Sequence, residues 1–283
     1  MPKRNVPISI IIPTYNRATT IGKTIDSFIA QDYSNWEMLV VDDYSQDNTR
    51  EVIEQYNRRD SRIHYLSNER KKGAQGARNT GILHAKSEWV VLFDSDDYAY
   101  PNFLEKMIDA TDDNSDVITC NVSRYDVNTH ERVHKEWGKD GRIEHDLMTG
   151  LVYINFDNSL IRKERLKEIG LLDESCPSHQ ELDTHIRLSK ESMYKHIPIE
   201  LLDYYWGGLD TMSVNDILNV SGYCYVLMRN KKRYKEVIGT NAYMKLVRSW
   251  YRKADKITRS VLRKNIWELY IQLPIMKLMD WVR

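Results

Sequence analysis

Apolar positions along the first hundred residues switch repeatedly between an unbroken run and a helical period. Residues 8–12 are a β-branched run closed by Pro13, the pattern of a strand buried on both faces. Residues 19–31 place Ile21, Ile25, Phe28 and Ile29 at helical spacing. A second apolar run, 36–41, ends at Asp42-Asp43, and 49–59 is a helix through Val52, Ile53 and Tyr56. Residues 63–66 form a third strand, 76–85 a helix, and 89–93 a fourth strand ending at Asp94.

Strand and helix thus alternate four times, which predicts a parallel sheet with helices on both faces. Ligands in such sheets bind outside the carboxyl ends of the strands. Here those ends carry Pro13-Thr14-Tyr15-Asn16, Asp42-Asp43 and Asp94-Ser95-Asp96-Asp97. Beyond Pro101 the alternation fades. Residues 117–122 read as a strand, 124–142 as a loop or hairpin, and 182–188 as helix; past residue 215 the chain reads as helical, basic and aromatic.

Composition narrows the classes. The chain has 283 residues, 41% of them hydrophobic, enough for one large α/β domain plus a helical appendage. Formal net charge is zero, giving no whole-molecule attraction to nucleic acid. The charge is uneven, however: Arg229 to Lys264 carries about thirteen Lys or Arg against Glu236 and Asp255. Cys120, Cys176 and Cys224 lack metal spacing and read as reduced thiols of a cytoplasmic protein. Residues 1–7 lack a signal peptide's apolar core, and the longest apolar stretch, 269–279, is broken by Gln272, Pro274 and Lys277.

The chemistry concentrates at Phe93-Asp94-Ser95-Asp96-Asp97. Three carboxylates in four residues at a strand end call for a cation, and a hard divalent ion held by oxygen fits. Asp94 and Asp96 are assigned to metal or ribose; Asp97 also suits a cap for the helix after Pro101. An Asp-x-Asp of this kind also opens aspartate-nucleophile phosphatase sites, but there it lies on the first strand. One carboxylate of Asp42-Asp43 could accept a base N–H, or cap the turn into the helix at Thr49. Tyr15 could stack on a nucleobase and Arg17 pair with phosphate. Arg70-Lys71-Lys72-Gly73, at the start of a helix, suits either phosphate or a solvated basic face, and Arg78 lies inside that helix. No dinucleotide-binding glycine fingerprint, P-loop or zinc spacing is present.

Together Ser9-Ile10-Ile11-Ile12-Pro13-Thr14-Tyr15-Asn16-Arg17, Val40-Val41-Asp42-Asp43-Tyr44-Ser45-Gln46-Asp47-Asn48-Thr49, Gly76-Ala77-Arg78-Asn79-Thr80-Gly81 and Leu92-Phe93-Asp94-Ser95-Asp96-Asp97 resemble the family 2 inverting glycosyltransferases. The resemblance spans roughly residues 6–210. It implies the GT-A fold: a Rossmann-like, mixed but mostly parallel sheet flanked by helices. It divides the chain into 1–214, with nucleotide-sugar binding in 1–100 and the acceptor side and base in 101–214, and a helical extension, 215–283. It implies that Pro13, Thr14, Tyr15, Asn16, Arg17 and Asp43 hold base and ribose. Arg78 would support the diphosphate or donor sugar. Asp94 and Ser95 would touch the donor, and Asp96 would bind Mn²⁺ or Mg²⁺. The family's base segment aligns with Gln180-Glu181-Leu182-Asp183, after the turn Leu172-Asp173-Glu174; this makes Glu181 the base and Asp183 the runner-up, unless Asp183 only pairs with Arg187 one helical turn on. Residues 204–213 lack the basic residue with which the family closes its site, and Trp206 is either an acceptor platform or core.

The implied partners are a nucleotide-sugar, UDP-linked by family habit, and a glycan or lipid-linked saccharide acceptor of bacterial surface polysaccharide. Residues 215–283 lie outside the resemblance. Their basic, aromatic residues, 229–283 especially, suit packing on the chain itself, contact with an anionic bilayer from the cytoplasmic side, or a homodimer contact. Two alternatives stand beside the enzyme: a catalytically inactive nucleotide-sugar or glycan-binding protein, and a sugar nucleotidyltransferase, which would need a glycine-rich loop where Pro13 to Arg17 has none.

Overall fold

A computed structural model describes residues 5–136, 138–207 and 216–253. The chain forms two compact units, one from Met1–Ser175 and Gln180–Leu209, the other from Cys176–His179 and Asp210–Arg283. The boundary expected at 214/215 falls in a stretch outside the described residues.

The first unit is built on one mixed sheet. Its strands are β1 (Ile8–Thr14), β2 (Trp36–Asp42), β3 (Ile63–Ser67), β4 (Trp89–Leu92), β5 (Tyr98–Ala99), β6 (Val117–Asp126), β7 (Arg132–Lys135), β8 (Ser159–Arg162) and β9 (Tyr194–Trp206). The order is β3-β2-β1-β4-β8-β6-β9-β5, with β7 on β6. The first four strands run parallel to one another; β8 is antiparallel to β4 and β6. The helices are α1 (Ile21–Ile29), α2 (Thr49–Arg59), α3 (Ala74–His84), α4 (Phe103–Asp109), α5 (Glu144–Thr149), α6 (Lys163–Glu168) and α7 (Gln180–Ser189).

β1 is buried along its whole length, as its isoleucines favour, and the one polar side chain among them, Ser9, donates to Glu37 Oε1 at 2.7 Å. It continues through Pro13 rather than stopping there, for a geometric reason. The Ile11 carbonyl accepts from Phe93 N, so odd positions face β4, and pairing with β4 ends at Ile11. The missing N–H of Pro13 therefore costs no ladder bond. α1 covers the sheet with Ile21, Ile25 and Phe28. Phe28 meets Phe93 edge-on at 4.9 Å, and Phe93 meets Phe103 at 6.0 Å. That cluster anchors the chain where β4 gives way to Asp94.

Gly81 of α3 lies against β1, where an added Cβ would meet Ile11 Cγ2 at 2.3 Å. Alanine is the better helix former by about 1 kcal/mol, but the overlap dominates. Gly81→Ala is expected to lower stability by about 1–3 kcal/mol, read as a lower urea midpoint; a raised midpoint would show that Ile11 yields.

The second half departs from its sequence reading. The strand expected at 117–122 runs on to Asp126 and forms a hairpin with β7. The strands β8 and β9 and the helices α5 and α6 had no sequence expectation. The second unit contributes three helices, α8 (Asp216–Arg229), α9 (Lys231–Ile238) and α10 (Thr240–Lys253). Tyr234 and Tyr243 are buried within it, and Tyr223 stacks on Trp250 at 4.0 Å. These aromatics serve the unit's own packing; Trp267, Tyr270 and the rest of 254–283 lie outside the described residues. No helix among the described residues is long and apolar enough to cross a membrane. All three cysteines are free and buried.

Candidate active site

In the sheet β1 lies between β2 and β4, so the chain departs to opposite sides of β1 and leaves a crevice beyond its carboxyl end. Pro13 and Thr14 end β1 on this crevice, and the Asp94–Asp97 turn leaves β4 beside it. The buried Thr14 hydroxyl has no hydrogen-bond partner. Tyr15 is 45% exposed, with Lys72 Nζ 5.0 Å from its ring. Asn16 adopts a left-handed backbone, φ 51°, and its amide group is spent on the next loop: Gln46 N donates to Asn16 Oδ1 and Asn16 N to Ser45 Oγ. Arg17 points its guanidinium at Asp96, Nη2 to Oδ2 3.9 Å.

Asp43 is buried, and both its oxygens accept bonds from the following loop, from Asn68 Nδ2 at 2.7 Å and Gly73 N at 2.8 Å. It shapes the entrance of α3. The turn into α2 is held instead by Asp47, which accepts from Thr49 N at 3.1 Å and Ala18 N at 3.1 Å. Arg70, expected to face phosphate, is ion-paired with Glu174, which also accepts from Asn79 Nδ2 at 2.8 Å. The Leu172-Asp173-Glu174 turn is thereby docked on α3. Gln75 is buried in the first turn of α3 with neither end of its amide partnered, a residue the sequence reading passed over.

At the floor of the site Arg78 is buried, ion-paired with Asp94, its guanidinium 4.8 Å from the Phe156 ring. Burial opposes its charge, but Asp94, Glu181 and Asp157 outweigh that and raise its pKa. Asp94 N donates to Asp157 Oδ1. Ser95 is buried. Asp96 is the exposed member of the turn; desolvation and the neighbouring Asp94 raise its pKa against the pull of Arg17.

Asp97 is not a helix cap: α4 begins only at Phe103, after a cap at Asn102. Asp97 is buried, accepts from Tyr205 N at 2.9 Å through Oδ1, and leaves Oδ2 without a partner. Burial, Asp157 and the neighbouring acids push its pKa well up, and burial and Asp94 do the same to Asp157. Asp94, Asp97 and Asp157 bring carboxylate oxygens within 4.8 Å of one another. An all-oxygen set containing a buried, unpartnered oxygen suits a hard divalent cation. Asp96 lies outside that trio, at its mouth. Asp157 belongs to no motif read from the sequence, and its polar neighbours Asn155, Asn158 and Ser159 leave no local signal that sets it apart.

Glu181 opens α7, half-buried; desolvation raises its pKa, Arg78 opposes, and Asp94 adds to the rise. It therefore shares one electrostatic environment with the Arg78–Asp94 pair. Asp183 is fully buried and paired with Arg187 at 2.8 Å, which also donates to the carbonyls of Ile169 and Leu171. That locks the runner-up base into the structure. Trp206 ends β9 half-buried beneath the Arg124 guanidinium, 3.9 Å from its ring centre; the rest of the 204–213 segment, beyond Gly207, lies outside the described residues.

The mixed, mostly parallel sheet with its flanking helices is an α/β fold of the GT-A class. The sequence profile of Glycosyl transferase family 2 matches residues 9–170, more than half of the chain, and the chain belongs to that family. Among curated proteins it is similar to the UDP-Glc:alpha-D-GlcNAc-diphosphoundecaprenol beta-1,3-glucosyltransferase WfgD of Escherichia coli, 48% identical over 101 residues, 36% of this chain and 39% of that one. The putative teichuronic acid biosynthesis glycosyltransferase TuaG of Bacillus subtilis is 39% identical over 102 residues, 36% of this chain and 40% of its own length. The matched stretch thus spans well under half of these relatives. Of solved structures, S. aureus TarS 1–349 in complex with UDP-GlcNAc superposes with a TM-score of 0.62 at 20% identity, covering 78% of this chain and 66% of that one, a likeness of fold.

Proposed function

We propose that this chain is an inverting glycosyltransferase that moves a sugar from a nucleotide-sugar, in the first instance a UDP-sugar, to a glycan or lipid-linked saccharide acceptor. Its setting would be bacterial surface polysaccharide synthesis at the cytoplasmic face of the membrane. The observation that carries this reading is the meeting at one strand-end crevice of the acidic turn, Arg78 and Glu181. The activity named for one relative, WfgD, with a UDP-glucose donor and a diphosphoundecaprenol-linked acceptor, supports it.

In this reading Tyr15 offers its exposed ring to the base, while Asp43 keeps the 68–73 loop open beside it. Asp96, with Asp94, Asp97 and Asp157 behind it, would hold Mn²⁺ or Mg²⁺. When bound, such an ion neutralises charge on the departing nucleoside diphosphate. Arg78 fixes the Asp94 carboxylate and lends positive potential to the floor. Glu181 takes the proton of the acceptor hydroxyl as that oxygen attacks the anomeric carbon, and no covalent intermediate is required.

A base must be ionised to act. Because burial raises the pKa of Glu181, the acid limb of the kcat/KM profile is expected above the range of an ordinary glutamate, with activity lost as pH falls through it. A profile flat down to the usual glutamate range would assign the base elsewhere. The test of the function itself is UDP release from a panel of UDP-sugars with and without saccharide acceptors. Binding without release would favour the non-catalytic alternative.

A further inference from the structure

On the acceptor side of the first unit, β6 and β9 pair in parallel with Arg124 opposite Tyr204 and Asp126 opposite Trp206. Arg124, Tyr204 and Trp206 therefore share one face of the sheet. This end of β9 lies beside the acidic turn, where Tyr205 N donates to Asp97 Oδ1 at 2.9 Å, and the neighbouring Tyr204 hydroxyl lies in the field of Asp97, Asp94, Tyr153 and Glu181. Tyr153, on the loop between α5 and β8, joins the two ends of this surface: its hydroxyl feels both the Glu181 carboxylate and the Arg124 guanidinium.

The end of β9 is tied to the turn that follows β6. Val127 N donates to the Trp206 carbonyl at 2.9 Å, and Asn128 Nδ2 to the Gly207 carbonyl at 2.7 Å. The guanidinium of Arg124 lies 3.9 Å from the Trp206 ring centre. The nearby Arg132 has its charge satisfied by Asp203 at 2.9 Å. Arg124 makes no ion pair among the described residues. A planar guanidinium seated on an aromatic face keeps its N–H edge free, and that edge matches a phosphate or carboxylate with two parallel hydrogen bonds.

We propose that Arg124, held on Trp206, is an acceptor-binding residue that receives an anionic group of the acceptor close to the hydroxyl attacked, so that the preferred acceptors are negatively charged saccharides. The inference rests on the glycosyltransferase reading and adds a substrate class to it. The anion could be the phosphate of a diphosphate-linked sugar or the carboxylate of a uronic acid; the chemistry at Arg124 is the same. On one flank the surface is apolar: Tyr153 and Leu151, two residues apart on one loop, are 45% and 73% exposed.

Three acceptor probes decide the matter in calorimetry: octyl N-acetylglucosaminide, neutral; N-acetylglucosamine α-diphosphate with a short alkyl ester; and octyl glucuronide. Each is titrated into the full chain, with and without UDP and Mn²⁺, for wild type, Arg124→Ala and Arg124→Lys. Wild type is expected to bind one of the anionic probes about tenfold or more tightly than the neutral one. A preference for the diphosphate identifies phosphate as the source, and one for the glucuronide a uronic acid. Arg124→Ala is expected to erase the preference while leaving UDP affinity and neutral-probe affinity unchanged, and Arg124→Lys to keep part of it. Equal binding of all three probes by wild type, binding of none, or a preference that survives Arg124→Ala overturns the assignment. UDP binding separates the two levels: its loss in wild type strikes the donor-site reading, whereas intact UDP binding with an unaltered probe preference strikes Arg124 alone.

Discussion

Glu181→Gln is expected to lower turnover by about 10²–10⁴-fold, the range typical of losing a positioned general base, with UDP-sugar affinity left near that of wild type. Glutamine keeps the shape and some hydrogen bonding of the side chain but cannot accept the acceptor proton. Among the described residues, Asp183 and Asp94 are already engaged. Asp183, two residues on, is fully buried and paired with Arg187 at 2.8 Å. Asp94 is engaged by Arg78. Steady-state kinetics with a working acceptor, beside donor binding by calorimetry, separate the two effects. Turnover within a few-fold of wild type would remove Glu181 from the role of base.

Arg78→Met is expected to strike stability as hard as activity. Methionine fills most of the volume beside Phe156 but leaves Asp94, Asp157 and Glu181 without the cation that faces them. Breaking a buried pair by removing one partner costs about 3–5 kcal/mol, which for a unit of this size is a fall in melting temperature of roughly 6–20 °C. The effect has a definite pH sign. Without Arg78 the folded-state pKa values of Asp157 and Glu181, already raised by burial, rise further above their unfolded values. The folded variant therefore holds protons more tightly than the unfolded chain, and its stability falls as pH rises through those raised values. The deficit relative to wild type is expected to be largest at neutral pH and to shrink in mildly acidic buffer. Equal melting curves at pH 7 would mean that the carboxylates find other partners.

How much of this can be read from the sequence differs between the two halves of the chain. β1 to β4 and their helices were readable because the strands are short, mostly apolar runs alternating with segments of helical period; residues 49–59 were placed to the residue. The later strands were not. β8 is only four residues long, and β9 runs thirteen residues across a bulged register with β6, exposing Ile199 along the way. Such a strand carries neither a clean alternation nor an unbroken apolar run.

The same holds within the site. Asp94, Asp96 and Asp97 announced themselves by crowding at a strand end. Asp157, which supports the turn from below, is far away in sequence and reaches Asp94 only because β8 lies beside β4. Arg70 looked like a phosphate ligand because it sits in a basic run, yet Glu174, 104 residues away, takes its charge. Pairings of this kind are tertiary and leave no local pattern.

The central claim is a metal-dependent donor site in the crevice between β1 and β4, and UDP binding tests it most directly. Calorimetry would be run on wild type and Asp96→Ala, each with Mn²⁺ and then with excess EDTA. The expected result is saturable binding by wild type with Mn²⁺ that weakens sharply on chelation and in Asp96→Ala. UDP binding of equal strength in all four conditions, or none in any of them, would contradict it.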